Sequence, residues 1–117
     1  SPEVASTVLS WMESVVEQGS GVGVKTPGYR IGGKTGTAQK ALNGVYLPGA
    51  KICSFVATLP IEAPRYVVFV AVDEPQGAHA YGSTVAVPVA KQIIDALLVV
   101  EKISPSKPAE LNKTLMS

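Results

Sequence analysis

The sequence predicts an α+β fold in which an antiparallel sheet of about three strands is flanked by an N-terminal and a C-terminal helix. Apolar residues recur at helical spacing near both ends of the chain, and extended apolar runs lie between these two segments. The connections between the runs are too short for the crossover helices that a parallel sheet requires, so neighbouring strands are expected to be antiparallel.

The first helix is predicted to begin at Ser1, because a capping hydroxyl followed by proline is typical of a helix start. Its apolar stripe includes Trp11 and Met12, which are interpreted as core residues. The last helix is predicted over residues 84–100, with Pro88 either delaying its start or kinking it. The apolar stripe of this helix comprises Val85, Val89, Ile93, Ile94, Leu97 and Leu98.

Three extended segments are predicted between the helices. The first follows Tyr29, after a glycine-rich connector, and ends at an Asn-Gly pair at 43–44 that is a strong signal for a hairpin turn. The second is residues 51–59, in which Cys53 is interpreted as a buried structural thiol. The third, residues 66–72, is continuously apolar and is therefore predicted to be a central strand covered on both faces.

Composition limits the classes of function. The chain has 117 residues, enough for one domain, and a net charge of +1, which leaves no electrostatic footprint for nucleic acid. No apolar run reaches the roughly 18–20 residues that a membrane helix needs, so no membrane contact is expected of this segment. Residues 1–103 are predicted to form part of one domain and residues 104–117 a poorly ordered polar tail. The start at Ser1 lacks a signal-like pattern, and the chain is expected to be an excised piece of a longer protein.

A glycine-rich stretch at residues 32–39 carries the clearest chemical signal in the chain. It combines three glycines, two threonine hydroxyls and one lysine without any bulky side chain. Glycine lets a ligand approach the backbone closely, Lys34 provides a compact positive charge, and the hydroxyls of Thr35 and Thr37 can share an anionic guest. The stretch therefore predicts a site for an anion or a carboxylate on an extended backbone.

The same residues also satisfy the pattern of a nucleotide-binding loop, Gly-x-x-x-x-Gly-Lys-Thr at residues 28–35. The apolar strand that ends in Asp73 and Glu74 resembles the strand that holds magnesium in such proteins. A phosphate-binding loop must follow a buried strand and open a helix, whereas the flanking segments here are a glycine-rich loop and a run that stops at a turn. The carboxylate site is therefore favoured over this alternative.

Residues 34–37, Lys-Thr-Gly-Thr, match one of the three signature elements of penicillin-recognising serine enzymes. With the runs GGKTGTAQK, SFVATLP, YVVFVAVDEP and YGSTVAVPVAKQIIDALL, the chain resembles the C-terminal part of the transpeptidase domain of class B penicillin-binding proteins over roughly residues 1–100. The division type is favoured over the elongation type. The resemblance implies a peptidoglycan D,D-transpeptidase that uses no metal or cofactor. It also implies a parent anchored in the cytoplasmic membrane with this domain on the periplasmic side.

By this resemblance, Lys34 provides positive potential for the terminal carboxylate of a D-Ala-D-Ala stem peptide or for the carboxylate of a β-lactam. Thr35 and Thr37 add hydroxyl donors, and Gly36 lets the substrate backbone lie against the strand. The backbone N–H of Thr37 matches a position in the family's oxyanion hole. Lys34 and Thr37 are thus the predicted catalytic residues. Thr35, Gly36 and Thr37 are the predicted substrate-binding residues.

Two elements of the family pattern are not matched in this chain: the nucleophilic Ser-x-x-Lys at a helix start, and Ser-x-Asn. One Ser-x-x-Lys occurs at residues 104–107, but Pro105 and Pro108 lie there in a polar tail, and the match is interpreted as chance. The chain alone is therefore expected to be inactive and to act only when the upstream part of the same domain completes it. A non-catalytic sensor or binding module for β-lactams or peptides is the alternative.

Residues outside the motif carry weaker signals. His79 has no second ligand at metal-binding spacing, so no metal site is predicted. A solvated turn is favoured for Asp73 and Glu74 over a paired acid and base. Tyr81 is a candidate for lining the cleft.

Overall fold

The computed structural model of the chain describes residues 1–75 and 81–106, of which residues 48 and 49 are described by their backbone alone. The strands form one antiparallel sheet in the order β1-β2-β3, and the predicted α+β class with three antiparallel strands between two helices is confirmed. The elements are α1 (Pro2–Gln18), a 3₁₀ turn (Val22–Val24), β1 (Gly32–Leu42), β2 (Val45–Leu59), β3 (Tyr66–Asp73), a π-helical turn (Gly82–Ala86) and α2 (Val87–Val100).

The core lies between α2 and one face of the sheet. Phe55 on β2 is fully buried, and Cys53 and Ala57 on the same face are buried with it, as the alternation of side chains along a strand requires. Cys53 is a buried free cysteine, as predicted. The core cluster around Phe55 comprises Val16, Val24, Ile31, Ala57, Leu59, Val68, Val70, Ala86, Val87, Ala90, Ile94 and Ile103.

β2 is the central strand of the sheet, because it pairs with β1 on one side and with β3 on the other. The prediction that residues 66–72 form a central strand covered on both faces is wrong within the described chain. β3 buries Val68 and Val70 but leaves Val67 71% and Phe69 65% exposed. A continuous apolar run fits a strand with two covered faces, yet the described residues cover only the face that packs on α2.

α1 begins as predicted, because the Ser1 hydroxyl accepts a hydrogen bond from the Val4 N–H at 3.2 Å. The prediction that Trp11 is a core residue is wrong for this chain, since its side chain is 67% exposed. α1 is buried at Val16, near its C-terminal end, and Met12 is half-buried. No element of the described chain covers Trp11, so the apolar stripe of α1 is only partly buried.

α2 begins after the π-helical turn. Pro88 lies in the first turn of α2, where a missing N–H breaks no helical hydrogen bond, so a late start accounts for the proline. The buried face of α2 carries Val87, Ala90 and Ile94, whereas the predicted Val89 and Ile93 are exposed. The side chain of Ala90 is small and lets the helix approach the sheet closely. The predicted stripe contained only large apolar residues and therefore missed this position.

The helical segment Gly82–Val100 has 19 residues and a mean hydropathy of 1.6, which by length and composition alone is enough to cross a membrane. This differs from the expectation that no apolar run reaches that length. Core helices of globular proteins meet the same criterion, and here the buried side chains of α2 pack against the sheet.

The predicted hairpin turn joins β1 to β2. Asn43 and Gly44 have positive φ angles of 52° and 80°, the combination that a two-residue type I′ turn requires. Leu42 opposite Val45 closes the hairpin. The glycine-rich connector that precedes β1 contains the 3₁₀ turn, whose Val24 is fully buried, so this connector contributes to the core as well as linking α1 to β1.

A bidentate ion pair fixes α1 to the segment that leads into β1. The Arg30 Nε and Nη2 atoms donate to the two Glu13 carboxylate oxygens at 2.8 and 2.9 Å. The hydrogen bonds to Glu13 raise the pKa of Arg30 above its ordinary value. Since arginine is already charged at neutral pH, this rise in pKa does not change its charge there.

Replacing Glu13 with glutamine is expected to lower the free energy of unfolding by about 0.5–1 kcal/mol, the upper range for a partly exposed ion pair with two parallel hydrogen bonds. Glu17→Gln on the same helix is the matched control, since Glu17 meets the more exposed Lys25 ammonium at 2.8 Å. The control is expected to lose no more than about 0.3 kcal/mol. Urea unfolding followed by circular dichroism measures both losses. Equal losses would show that the pair of parallel hydrogen bonds between Arg30 and Glu13 adds nothing to the stability of the fold.

Candidate functional site

The Lys-Thr-Gly-Thr residues 34–37 lie in the first half of β1, which is an edge strand of the sheet. β1 pairs with β2 on one side, and no strand of the described chain pairs with its other side. An edge strand presents unpaired N–H and C=O groups, to which an extended peptide can add as a further strand. The motif therefore lies where a peptide ligand can reach both its backbone and its side chains.

This location differs from the setting that the nucleotide-binding alternative requires. Lys34 and Thr35 are inside a β-strand of 11 residues and do not open a helix. A phosphate cradle depends on the free N–H groups of a helix N-terminus, which are absent at this point of the chain. The structure does not support the P-loop alternative.

The side chains of the motif alternate between the two faces of β1. Cross-strand partners share a face, so Thr35 lies on the side of its partner Phe55, and Lys34 lies on the opposite side with its partner Val56. Thr37 shares the face of Thr35 because it is two residues further on. The structure therefore divides the predicted site residues between the two faces of β1, and the Lys34 ammonium reaches the strand backbone, where it donates to the Thr35 carbonyl oxygen at 2.6 Å.

The two lysines of β1 differ in their electrostatic surroundings. Lys40 meets the carboxylates of Asp73 at 2.7 Å and Glu74 at 3.4 Å. The hydrogen bond with Asp73 is the main cause that raises the pKa of Lys40. Lys34 is exposed and forms no ion pair with any carboxylate of residues 1–75 and 81–106. Its charge is therefore open to an anionic ligand, as the prediction of a carboxylate site requires.

Each threonine hydroxyl of the motif has a neighbour that the sequence did not reveal. The Thr35 hydroxyl lies 2.8 Å from the Ser20 hydroxyl, and the Thr37 hydroxyl accepts a hydrogen bond from the Gly82 N–H at 3.3 Å. Ser20 falls in the glycine-rich connector and Gly82 at the start of the π-helical turn. The only sequence signal for these two contacts is the glycine beside each of them, in Gly-Ser-Gly at residues 19–21 and in Tyr-Gly at residues 81–82.

An apolar groove of about 520 Å³ runs beside the motif on the Lys34 face. α1 forms one wall with Val8 and Trp11, and β1 and β2 form the other with Lys34 and Val56. The groove places the exposed apolar part of α1 next to the cation. A ligand with a carboxylate and an apolar body would find both kinds of contact at this position.

Tyr81 and His79 are the remaining candidates from the sequence. The Lys51 ammonium lies 4.7 Å from the centroid of the Tyr81 ring, which places the tyrosine beside the middle of β2. His79 lies outside the described residues. Among the residues that the structure describes, no group of three or more His, Cys, Asp or Glu side chains could hold a metal ion.

The Ser-x-x-Lys match at residues 104–107 lies beyond α2. Ser104 to Ser106 have no helical structure, and Lys107 is outside the described residues. The Ser106 hydroxyl accepts a hydrogen bond from the Arg30 N–H at 3.3 Å and also contacts the Glu62 carboxylate. The helix start that a nucleophilic serine of this kind needs is not present at these three residues.

Lys-Thr-Gly is one of the signature elements of penicillin-recognising serine enzymes, and here it lies on an edge strand of an α+β sheet. Residues 1–95 match the family model described as the penicillin binding protein transpeptidase domain, and the chain belongs to that family. It is 44% identical over 109 residues to a protein of Mesostigma viride named peptidoglycan D,D-transpeptidase FtsI homolog. It is 42% identical over 107 residues to stage V sporulation protein D of Bacillus subtilis (strain 168).

Solved structures agree with this assignment. The transpeptidase domain of penicillin-binding protein 3 from Burkholderia pseudomallei superposes with a TM-score of 0.79 and 39% identity over 92% of the chain. Penicillin-binding protein 3 from Mycobacterium tuberculosis, solved with ampicillin, gives a TM-score of 0.74 and 27% identity over 91% of the chain. The family predicted from the sequence is confirmed.

The chain is much shorter than these relatives. Its alignments take in 92% of this chain but 18% of the Mesostigma protein and 17% of the Bacillus protein. They take in 33% of the Burkholderia domain and 26% of the Mycobacterium chain. The described site is therefore one part of what those proteins contain.

Proposed function

We propose that this chain is the C-terminal part of the transpeptidase domain of a serine D,D-transpeptidase that cross-links peptidoglycan stem peptides and is acylated by penicillin. The observation that carries the proposal is the position of Lys34, exposed on an open edge strand and without an ion pair in the described chain. Relatives named peptidoglycan D,D-transpeptidase support it, as do solved relatives complexed with ampicillin and aztreonam.

In the proposed mechanism, the carboxylate of the terminal D-Ala or of a β-lactam binds at Lys34. A hydrogen bond between an ammonium and a carboxylate is about twice as strong as one between neutral groups. Thr35 and Thr37 lie on the opposite face of β1 from Lys34, so their hydroxyls share this carboxylate with the Lys34 ammonium by meeting it at the open strand edge. Gly36 leaves room for the ligand backbone along that edge. The bound peptide is thereby aligned with the sheet before any bond changes.

The chemical step uses a serine from outside this chain. The serine oxygen attacks the carbonyl of the penultimate D-Ala, the peptide bond to the terminal D-Ala breaks, and that D-Ala leaves with its amino group protonated. An amine of a second stem peptide then attacks the acyl-enzyme and releases the serine. The Thr37 N–H stabilises the developing oxyanion, a contribution of about 10²–10³ in turnover for one such donor. No metal or cofactor is needed for this acyl transfer.

The proposal also covers the position of this chain within a longer parent protein and the location of that parent. Residues 1–103 belong to the transpeptidase domain, and residues 104–117 form a polar tail. The parent is anchored in the cytoplasmic membrane, with this domain on the periplasmic side, and it serves cell division. FtsI homologs and a sporulation protein among the relatives are the reason for preferring the division type.

Labelling with a fluorescent penicillin tests the proposal. The full-length protein is expected to form a covalent adduct on a serine outside this chain, and the 117-residue chain is expected to form none. Mass spectrometry of the labelled peptide locates the adduct. Reversible binding without an adduct in the full-length protein would favour the sensor alternative. An adduct on Ser104 of the short chain would show that the tail motif is a nucleophile after all.

A further inference from the structure

We propose that Gly82 is a positioning residue for the Lys-Thr-Gly strand, and this role rests on the transpeptidase function proposed above. Gly82 begins the π-helical turn that leads into α2, far along the sequence from the motif. Its N–H nevertheless donates to the Thr37 hydroxyl at 3.3 Å. The start of the C-terminal helix and the motif strand are therefore in direct contact at the residue that we assign to the carboxylate and the oxyanion.

The contact is too close for any side chain at position 82. A Cβ atom placed on Gly82 would lie 2.7 Å from the Ser54 carbonyl oxygen and 2.9 and 3.1 Å from the carbonyl oxygen and nitrogen of Gly36. All three neighbours are backbone atoms of β1 and β2, which cannot rotate away as the end of a side chain can. Any residue other than glycine must therefore push the helix start away from the motif or displace Gly36 itself.

The hydrogen bond also sets the role of the Thr37 hydroxyl. A hydroxyl has one proton to donate and two lone pairs to accept. Because the Gly82 N–H occupies a lone pair of Thr37 Oγ1, the proton of that hydroxyl points elsewhere, and Thr37 is exposed. Gly82 thus prepares Thr37 to donate to an anion. At 3.3 Å the bond is long for an N–H···O contact, so a small displacement would break it.

The proposal is tested by Gly82→Ala in the full-length protein, with the second-order rate of acylation by fluorescent penicillin as the readout. Displacing a site by a fraction of an ångström is expected to lower this rate about tenfold. The matched control is Gly23→Ala. A Cβ at Gly23 would meet the Val87 side chain at 2.7 Å, so the control disturbs the same helix away from the motif. Its acylation rate is expected to stay within about twofold of the wild type at a similar loss of melting temperature.

A double-mutant cycle tests whether Gly82 acts through Thr37. In a Thr37→Val background the hydroxyl is absent, and Gly82→Ala is expected to lower the remaining acylation rate by less than about threefold. In a Thr37→Ser background, which keeps the hydroxyl, the full effect is expected. A tenfold loss in the valine background would refute the route through Thr37, and equal rates for Gly82→Ala and wild type would overturn the proposal.

A second measurement does not depend on the folding of Gly82→Ala. Hydrogen exchange at the Gly82 amide, followed by mass spectrometry of the full-length protein, is expected to be about tenfold faster in Thr37→Val than in wild type or Thr37→Ser. Equal exchange in all three proteins would overturn the hydrogen bond and the proposal with it. If the wild-type protein is not acylated by penicillin at all, the proposed transpeptidase function is refuted. The exchange rates still test the hydrogen bond between Gly82 and Thr37 in that case, so the two failures can be distinguished.

Discussion

Lys34→Ala in the full-length protein is expected to slow acylation by penicillin about 10- to 100-fold and to leave the melting temperature unchanged. A hydrogen bond to a charged group contributes about 1.5–3 kcal/mol, and each 1.4 kcal/mol is a factor of ten in rate or affinity. The fold is spared because Lys34 is exposed and its described hydrogen bond goes to the neighbouring Thr35 carbonyl. Stopped-flow or gel-based kinetics with a labelled penicillin measures the rate.

Lys40→Ala is the matched control for this experiment. It removes a lysine from the same strand, six positions further on, whose charge is satisfied by Asp73 and Glu74. We expect its acylation rate to remain within about twofold of the wild-type rate, since no lone positive charge is lost near the ligand. If both variants slowed acylation equally, the effect would reflect the general positive potential of β1, and the specific role of Lys34 would be refuted.

Phe55→Ala is expected to lower the free energy of unfolding of the 117-residue chain by about 3–5 kcal/mol, the range for removing a buried aromatic ring. Phe55 is fully buried, and its ring occupies the space over Gly33, where a Cβ would lie 2.4 Å from the ring. Glycine at position 33 has no side chain of its own that could move into the cavity. A loss of this size is a large share of the roughly 5–15 kcal/mol that stabilises a domain. Urea unfolding is the measurement.

Phe69→Ala provides a comparison on the same sheet. Its ring is largely exposed, so its removal from the 117-residue chain is expected to change the free energy of unfolding by less than about 1 kcal/mol. Equal losses for the two phenylalanines would contradict the placement of the core between α2 and the Phe55 face.

The sequence predicted the features that depend on local chemistry. The Ser1 cap, the Asn-Gly hairpin turn and the buried Cys53 each follow from a residue type at a defined position, and the structure has all three. The strand setting of Lys34 was also predictable, because an early glycine and a turn signal argued against a helix after it. These signals are contained within a few residues of the element that they describe.

Features that depend on distant partners were not predictable. Periodicity shows that Trp11 and Phe69 belong to apolar faces, but it does not show whether this chain provides the atoms that cover those faces. The same limit hid the contact between Gly82 and Thr37, which joins two segments 45 residues apart. A glycine selected for close approach has the same appearance in a sequence as one selected for a turn.

The uncovered apolar surfaces of Trp11, Val67 and Phe69 have a practical consequence for protein engineering. Apolar patches of this kind are rare on proteins that work alone. A chimera that grafts this segment onto the upstream region of another family member would succeed only if the host offers surfaces shaped to receive these side chains. Compatibility between donor and host would thus be decided by steric fit at the junction, even when every residue of the Lys-Thr-Gly motif is identical.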